Sequence, residues 1–351
     1  DFDKITTSID LSLLISSWNK LKDTKPKNLS TIPIEELSHA SSGCSIKSIE
    51  HGFGIDETQL ILFTSGTTGS PKAVALSANN IIHNANSWNK AIGFSENDTY
   101  LCCLPLYHVG GLSIIIRSLL YKFSVSLHQW YNIEKIIKNQ LVFKTNLVSV
   151  VPTMLENLLD YDKGIEIASS YKAIIMSGGP ASSKLLNKIL HNKIPVYKSY
   201  GMTETSSGVC GFWLNDYPEK KLSVGLKHHN VELKIINNLL HIKSPMVMNG
   251  YINDTTELDW FNTNDIAEID SDGFITISMK DRGKIISGGV NIDTSEIEQL
   301  LLSHPLINKA KVKGESDDKW GQKIIAYIDS EKIDENEVES LLEKKLSKHK
   351  I

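Results

Sequence analysis

The sequence predicts an α/β protein whose larger domain is built on a parallel, doubly wound sheet. Three stretches, residues 146–159, 171–190 and 194–208, each place a short apolar run before a loop, and the first two continue as helical patterns. Strands that alternate with helices at this spacing pair in parallel and leave a ligand crevice at their carboxyl ends. The loops after these apolar runs are therefore the expected place for a binding site.

The remaining segments predict smaller units around this sheet. Residues 11–21 form a helix-like patch, and Ser77 is placed to cap a helix from Ala78 to about residue 90. Short alternating segments between residues 221 and 277 predict the antiparallel strands of a small β-barrel or sheet. The chain ends in a small α+β region with an amphipathic helix. The apolar face of that helix consists of Val338, Leu341, Leu342 and Leu346.

Composition sets limits on the class of protein. A chain of 351 residues predicts roughly two domains. Its hydrophobic content of 41%, charged content of 22% and net charge of −4 are ordinary for a globular protein, and they favour neither nucleic acid nor an anionic membrane as a partner. The longest apolar run, residues 112–120, contains Arg117 and is too short to span a bilayer.

The cysteines indicate a reducing compartment. Their spacing fits neither a metal site nor a disulfide framework, and two of them are adjacent within an apolar run, where buried free thiols are expected. A cytoplasmic location follows from this pattern. The four cysteines are Cys44, Cys102, Cys103 and Cys210.

The densest functional signal is the segment TSGTTGSPK at residues 64–72. Its glycines let the backbone approach a ligand, its hydroxyls add hydrogen-bond donors, and Lys72 supplies a compact positive charge suited to phosphate. It is not a Walker A loop, because Pro71 precedes the lysine and a second strand follows it. From composition alone, an ordinary surface turn remains the alternative. The candidate phosphate-binding residues are Thr64, Ser65, Gly66, Thr67, Thr68, Gly69 and Lys72.

All nine positions of this segment match the phosphate loop of the adenylate-forming superfamily, which the chain resembles from about residue 56 to residue 350. Members of that superfamily include acyl-CoA synthetases, luciferases and peptide-synthetase adenylation domains. The resemblance implies a ligase that uses ATP with Mg²⁺ to form an acyl-adenylate from a carboxylic acid, and coenzyme A as the thiol that displaces AMP. It also implies a large adenylation domain over residues 1–282 and a small, mobile C-terminal domain over residues 283–351.

Other motifs receive roles from the same resemblance. In YGMTE, beginning at Tyr200 and Gly201, the tyrosine would stack on adenine, Thr203 would contact the α-phosphate, and Glu204 would hold the metal ion. Asp265 would bind the ribose hydroxyls, for which two acceptor oxygens are suited. The segment SGGP would border the adenine through Ser177, Gly178 and Gly179. By themselves these segments also fit polar turns after buried strands.

The sequence departs from the family pattern in the C-terminal third. Asn264 stands where a glycine usually precedes the ribose-binding aspartate, and Lys280 stands where an arginine usually contacts the ribose. Gly283 occupies the hinge position, although a shifted alignment would put Arg282 in one of these roles. The Gly-Lys element that carries the family's catalytic lysine is expected beyond residue 351. We therefore expect a shortened form of such an enzyme.

The acid substrate is indicated by the segment LPLYHVGGLSIIIRSLL, which contains His108, Gly110 and Arg117. It resembles the corresponding segment of the 2-succinylbenzoate–CoA ligases of menaquinone biosynthesis. That resemblance implies that His108 lines the acyl pocket and that Arg117 helps to hold an acidic aromatic substrate. Taken alone, Arg117 would more often reach solvent or pair with a carboxylate.

Other readings of the whole chain stay open. They are a fatty or aryl acid–CoA ligase and a non-catalytic nucleotide-binding relative, and a homodimer is left open as well. In every reading the expected partners are small molecules, with neither nucleic acid nor a membrane span.

Overall fold

The computed structural model describes the backbone of residues 13–16 and 30–33, and residues 54–64, 72–252, 259–278, 284–302, 304, 306–330, 332–343 and 346. By its internal contacts the chain divides into residues 1–57 and 58–351. In the first unit, β1 (Leu13–Ser16) pairs in parallel with β2 (Ser30–Pro33). The helix predicted over residues 11–21 is therefore wrong at β1, because pairing with a second strand supplies the backbone partners that a helix would have provided.

The second unit begins with a large mixed α/β region. Its strands are β3 (Thr58–Thr64), β4 (Lys72–Ser77), β5 (Thr99–Cys102), β6 (Ser124–Leu127), β7 (Leu147–Val150), β8 (Ala173–Met176), β9 (Val196–Met202), β10 (Ser207–Trp213) and β11 (Leu226–Lys227). Its helices are α1 (Ala78–Ile92), α2 (Val109–Tyr121), α3 (Ile133–Phe143), α4 (Pro152–Asp160), α5 (Gly164–Ser169) and α6 (Ser183–His191). The predicted cap of α1 is confirmed, since Ser77 Oγ accepts from Asn80 N at 3.1 Å.

Seven strands form the main sheet in the order β11-β10-β9-β8-β7-β5-β6. The pairs from β6 to β9 are parallel, which confirms the predicted parallel sheet. The two pairs that β10 makes are antiparallel. Only a short 3₁₀ turn, Thr203–Thr205, joins β9 to β10, and a connection of that length permits an antiparallel return but not a parallel crossover.

Helices cover both faces of this sheet, as the side chains of β8 show. Ile174 and Met176 pack in one hydrophobic cluster with residues of α4 and α6, whereas Ala173 and Ile175 pack in another with residues of α1 and α2. All four side chains are at most 4% exposed. Successive residues of a strand point to opposite faces, so a continuous apolar run of this kind belongs to a strand that is buried on both sides.

The predicted antiparallel region forms two sheets rather than a closed barrel within the described residues. β12 (Glu232–Ile236), β13 (Leu239–Lys243), β15 (Phe261–Ile269) and β16 (Ile275–Ser278) make a four-stranded sheet. β14 (Gly250–Tyr251) joins β4 and β3 in a three-stranded sheet. One hydrophobic cluster holds side chains from both sheets, including Val74 and Leu240. The shared core replaces barrel closure, because it buries the inner faces without a continuous ladder.

The C-terminal region is α+β, as predicted. It comprises β17 (Lys284–Ser287), β18 (Val290–Asp293), α7 (Thr294–Leu302), β19 (Ile307–Asp317), β20 (Gly321–Ser330) and α8 (Glu335–Glu343). The amphipathic helix corresponds to α8, whose Leu342 is buried in a cluster that Val338 and Leu346 also contact. Among the described residues, no helix is both long and apolar enough to cross a bilayer.

Asn80 connects α1 to the segment that leads into β14. Its amide nitrogen donates to the carbonyl oxygens of Pro245 at 2.9 Å and Val247 at 2.8 Å, and its Oδ1 accepts from Ser77 N at 2.8 Å. The side chain is 6% exposed. A single buried amide therefore completes the helix cap and holds a loop 165 residues away in the sequence.

We expect Asn80→Ala to lower the free energy of unfolding by about 2–4 kcal/mol, because it leaves buried backbone groups without partners. Chemical denaturation monitored by circular dichroism measures this loss. Asn97→Ala is the matched control, since Asn97 is exposed in a turn and should change stability by less than about 0.5 kcal/mol. Equal losses for the two variants would contradict the anchoring role.

Candidate functional site

The predicted phosphate loop connects two paired strand ends. β3 ends at Thr64 and β4 begins at Lys72, and these two residues are cross-strand partners in the antiparallel pair. The loop must therefore leave and re-enter the sheet at one place. The predicted residues Ser65, Gly66, Thr67, Thr68 and Gly69 lie outside the described part of the chain, as do Lys280, Arg282 and Gly283.

Lys72 and Glu204 both contact one tyrosine. The Lys72 ammonium lies 4.9 Å from the centroid of the Tyr251 ring, and the Tyr251 hydroxyl donates to Glu204 Oε1 at 2.9 Å. The structure thus brings together the lysine of the phosphate loop and the predicted metal ligand. The sequence alone assigned Tyr251 no role, because its position depends on the pairing of β14 with β4.

The turn that carries Thr203 and Glu204 is fixed by its own hydrogen bonds. Thr205 Oγ1 donates to the carbonyl oxygen of Ser207 at 2.7 Å and accepts from Met202 N at 3.0 Å, and the Glu204 carbonyl accepts from Met248 N at 2.8 Å. Because the backbone is held in this way, the two predicted ligand-binding side chains project from a rigid turn.

Glycine is required at position 201 for a steric reason that is independent of any ligand. A Cβ at Gly201 would lie 2.0 Å from the carbonyl oxygen of Ser207, because β9 and β10 approach each other closely at this point. The glycine is therefore required for strand pairing next to the turn that follows β9. Its predicted contact with a nucleotide stays a prediction.

Tyr200 and Asp265 form a direct hydrogen bond. The tyrosine hydroxyl donates to Asp265 Oδ2 at 2.6 Å. Burial and, to a lesser extent, the negative charge of Asp265 raise the pKa of Tyr200 well above its ordinary value. The phenol therefore stays protonated and remains a donor. The predicted adenine-stacking and ribose-binding residues are thus neighbours on β9 and β15.

The departure at Asn264 also has a conformational explanation. Its φ is +61°, in the left-handed region that asparagine tolerates better than most non-glycine residues. This backbone requirement accounts for the glycine that the family pattern places before the aspartate. Asparagine at this position permits the irregularity in β15 that precedes Asp265.

The predicted SGGP loop contacts the C-terminal region. A Cβ at Gly178 would lie 3.1 Å from Val151 Cγ1, and one at Gly179 would lie 3.2 Å from Ile286 Cγ2. Gly289, in the turn between β17 and β18, has φ +81° and packs so closely on Val151 that a Cβ there would meet its Cγ1 at 2.6 Å. The β17–β18 turn therefore lies against the loops that follow β7 and β8.

His108 lies at the N-terminal end of α2. It is the residue before the helix, it is exposed, and its ring lies 4.5 Å from that of Tyr107, centroid to centroid. Gly110, predicted as a substrate-contacting residue, has room for a Cβ, whose nearest neighbour would be Leu104 Cδ1 at 3.5 Å. A Cβ at the next residue, Gly111, would lie 2.4 Å from the Pro105 carbonyl oxygen. The structural requirement for glycine is therefore at Gly111.

Arg117 is a fully buried cation. It is 2% exposed, its Nη2 donates to Asn84 Oδ1 at 3.1 Å and Ser207 Oγ at 3.3 Å, and its Cζ lies 4.7 Å from the centroid of the Trp88 ring. Burial lowers the pKa of Arg117 to about 10, which still leaves it charged at neutral pH. No carboxylate among the described residues pairs with it. The alternative in which it reaches solvent is therefore wrong, and pairing with an acidic side chain is not found in the described part of the chain.

A narrow cavity of about 10 Å³, room for about one water molecule, runs beside Arg117. Residues of one face of α2, from Val109 to Arg117, line it together with side chains of α1, β3 and β4. The polar residues in its lining are Asn84, Ser113, Ser206 and Arg117, and the others are apolar. Sequence reasoning missed Asn84 and Trp88, because nothing in the local pattern of α1 distinguishes them from ordinary helix residues.

The same region contains unsatisfied buried donors. Among the described residues, Arg117 Nε and Trp88 Nε1 have no hydrogen-bond partner. The ring of His228 lies 5.2 Å from that of Trp88, centroid to centroid. Burial and, to a lesser extent, the charge of Arg117 lower the pKa of His228 to about 4. This histidine is therefore neutral at physiological pH. Within the described part of the chain, Arg117 thus has neutral acceptors at Nη2 but no carboxylate that balances its charge.

A metal site made only of protein side chains is not found in the described part of the chain, where no group of three His, Cys, Asp or Glu residues converges. Glu204 offers one carboxylate. Mg²⁺ is commonly held by one or two carboxylates together with substrate phosphates, so a single glutamate beside a phosphate loop fits that ion.

These features define an α/β protein with its candidate ligand site at the carboxyl edge of a parallel sheet. The chain belongs to the AMP-binding enzyme family: residues 8–252 match the model of that family, and residues 296–351 match the AMP-binding enzyme C-terminal domain. Family membership agrees with the resemblance inferred from the phosphate loop.

Individual relatives support the same assignment. A 2-succinylbenzoate–CoA ligase of Bacillus cereus is 34% identical over 338 residues, which cover 91% of this chain and 70% of the relative. A double mutant of the o-succinylbenzoate CoA synthetase of Bacillus subtilis, bound with a product analogue, aligns with a TM-score of 0.88 and 30% identity over 99% of this chain and 74% of that one. The complex of that synthetase with ATP and magnesium aligns with a TM-score of 0.72 and covers 99% of this chain and 75% of that one.

The neighbouring glycines of α2 provide a test of the site's packing. We expect Gly111→Ala to lower the free energy of unfolding by about 1–3 kcal/mol, because the new methyl group would press into the backbone of Pro105. Gly110→Ala, its matched control, should leave stability unchanged or raise it, because alanine favours a helix more than glycine does. Thermal melting of the two variants measures the difference, and the reverse order of stability would contradict the packing described here.

Proposed function

We propose that this protein is an ATP-dependent carboxylate–CoA ligase that activates 2-succinylbenzoate as an acyl-adenylate and transfers the acyl group to coenzyme A, in the biosynthesis of menaquinone. The observation that carries the substrate is Arg117, a buried cation with no carboxylate partner among the described residues, which lines a mostly apolar cavity. A substrate with an aromatic body and a second carboxylate would supply the missing negative charge. The relatives named above act on the same compound by name.

In the first step the substrate carboxylate attacks the α-phosphorus of ATP, and pyrophosphate leaves. The protein's contribution is to position the reactants and to neutralise charge that develops on phosphate oxygens. We assign Thr64 and Lys72 to the β- and γ-phosphates, together with the loop residues between them. Thr203 contacts the α-phosphate, and Glu204 holds the magnesium ion, which when bound screens the phosphate charges.

The nucleoside would be held by residues of β9 and β15. Tyr200 presents a flat ring for adenine, and Asp265 presents two acceptor oxygens for the vicinal hydroxyls of the ribose. Asp265 already accepts the Tyr200 hydroxyl at 2.6 Å, which orients the carboxylate before nucleotide binds. Ser177, Gly178 and Gly179 would border the base.

The acyl pocket would run along α2. His108 lies at its outer end and Arg117 about two and a half helical turns further in, which corresponds to about 13 Å at 1.5 Å per residue. An elongated acid entering past His108 can place one carboxylate at the phosphate site and direct its other charged end along the helix. The cavity in this structure holds about 10 Å³, so α1 and α2 would have to separate for the acid to enter.

The second step, transfer of the acyl group to coenzyme A, would use the contact between the C-terminal region and the loop that follows β8. The β17–β18 turn, with Gly288 and Gly289, packs against the loop of Gly178 and Gly179. We propose that this face admits the thiol of coenzyme A to the acyl-adenylate. The buried free thiols of Cys102, Cys103 and Cys210 agree with catalysis in the cytoplasm.

The direct test is ATP–pyrophosphate exchange in the presence of 2-succinylbenzoate. It is measured in this chain and in a form extended through the next codons of its gene, where the family's Gly-Lys element is expected. Exchange that depends on the acid in either form supports the proposal. ATP binding without exchange in both forms would favour a non-catalytic relative, and exchange with fatty acids but not with 2-succinylbenzoate would favour a different acid.

Arg117→Met tests the substrate assignment. Wild-type protein should prefer 2-succinylbenzoate over 3-benzoylpropanoate, which lacks the ring carboxylate, by about a hundredfold in kcat/KM, about 2.7 kcal/mol. The variant should lose most of this preference while its KM for ATP stays unchanged, because only the charge pair is removed. Unchanged discrimination between the two acids would contradict a contact between Arg117 and the second carboxylate.

Asp265→Asn tests the ribose assignment. It should weaken ATP binding about tenfold, because the amide keeps only one acceptor oxygen for the two hydroxyls. Calorimetry with ATP and with 2′,3′-dideoxy-ATP separates this effect from a general one, since the dideoxy compound should bind wild type and variant alike. Asp216→Asn, at an exposed aspartate, is the control and should bind both nucleotides normally.

A further inference from the structure

Tyr251 contacts two opposite charges of the candidate site. One face of its ring meets the Lys72 ammonium at 4.9 Å from the centroid, and its hydroxyl donates to Glu204 Oε1 at 2.9 Å. All three side chains are partly buried. Lys72 and Glu204, both described, form no ion pair with each other. Each charge is thus satisfied by a different part of one neutral residue.

The sheet determines this position. Tyr251 pairs with Val74 across β14 and β4, so Lys72, two residues from Val74, projects from the same face next to the ring. The backbone on both sides of the tyrosine is held by hydrogen bonds from Asn249 N to Ala75 O at 3.0 Å and from Ile252 N to Ala73 O at 2.9 Å. The Glu204 carbonyl accepts from Met248 N at 2.8 Å, which fixes the distance from the turn to the same strand.

A lysine and a glutamate that contact the same side chain would attract each other, and direct pairing would use the charges that phosphate and metal need. The ring offers the ammonium a cation–π contact, and the hydroxyl offers the carboxylate a neutral hydrogen bond. Both contacts are weaker than those to phosphate or to a divalent ion, so both are readily exchanged when nucleotide enters.

We infer that Tyr251 is a positioning residue that keeps Lys72 and Glu204 from pairing with each other and so holds both charges available for ATP and magnesium. This role rests on the proposed function, because it presumes that the chain binds ATP. It adds to that function a residue that does not itself carry charge or react.

The first test is equilibrium binding of ATP in the presence of EDTA, measured by calorimetry. Tyr251→Ala removes the separation, lets Lys72 pair with Glu204, and should weaken binding about tenfold. Tyr251→Phe keeps the ring between the charges and should bind within about twofold of wild type. Tyr251→Thr, a truncation that suits a β-strand, provides a second measure of the same effect. Wild-type affinity in both truncated variants would overturn the inference.

The decisive test combines Tyr251→Ala with Glu204→Gln. Without the carboxylate, Lys72 has nothing to pair with, so the double variant should recover wild-type affinity for ATP in EDTA. Loss of packing alone predicts no such recovery, and a double variant as weak as Tyr251→Ala would overturn the inference. Glu204→Gln alone should bind ATP in EDTA at least as tightly as wild type, because it removes a negative charge.

The chain offers a matched control at Tyr327. Its hydroxyl donates to Glu315 Oε1 at 2.9 Å, the same contact at an exposed place on the β19–β20 hairpin. Tyr327→Phe should leave ATP binding unchanged. These binding measurements contain no acid substrate. If the variants bind ATP as expected but 2-succinylbenzoate is not activated, only the proposed acid substrate is refuted. A wild-type chain that binds no ATP would refute both proposals.

Discussion

The pairing of β14 with β4 is the constraint on which the candidate site depends. β14 has only two residues, Gly250 and Tyr251, and it adds them to the edge of a strand that begins at Lys72. Two residues of strand pairing contribute little stability by themselves. The segment before them is therefore anchored by Asn80, which binds the carbonyls of Pro245 and Val247, and by Ser206 Oγ, which donates to Met246 O at 2.9 Å. A buried helix-capping residue thus fixes the register of a strand at the phosphate site.

Charge placement follows a common pattern at the two ends of the site. Lys72 and Glu204 each contact Tyr251 rather than each other, and Arg117 contacts an amide, a hydroxyl and an indole ring rather than a carboxylate. Neutral partners of this kind reduce the cost of burying a charge without cancelling it. A ligand of opposite charge then gains an interaction that the protein has not already satisfied. We regard this as the physical basis of binding in the proposed ligase.

The residue proposed to select the acid and the edge where phosphate would react lie at different points along α2. The helix begins at Val109 beside the loop of His108 and carries Arg117 in the turns before its end at Tyr121. Gly111 lets the helix start against the carbonyl of Pro105, which brings its first turn close to the strand ends. One rigid element therefore spans the distance from the edge where phosphate would react to the buried charge that would select the acid.

The sequence by itself determined the features that depend on local order. The nine residues of TSGTTGSPK, the YGMTE turn and the apolar runs of β7, β8 and β9 identify the family, the parallel sheet and most of the candidate site, because each signal lies within a few consecutive residues. Ser77 marked a helix start for the same reason, since capping needs only neighbouring residues.

Only the tertiary structure decided which distant residues support that site. Tyr251, Asn80, Asn84 and Trp88 acquire their roles from contacts with segments far away in the chain, which no local pattern encodes. The antiparallel β10, the two sheets in place of a barrel and the strand β1 in place of a helix have the same origin. In each case the partner that satisfies the backbone or buries the side chain is provided by long-range pairing, and this overrides what the local sequence favours.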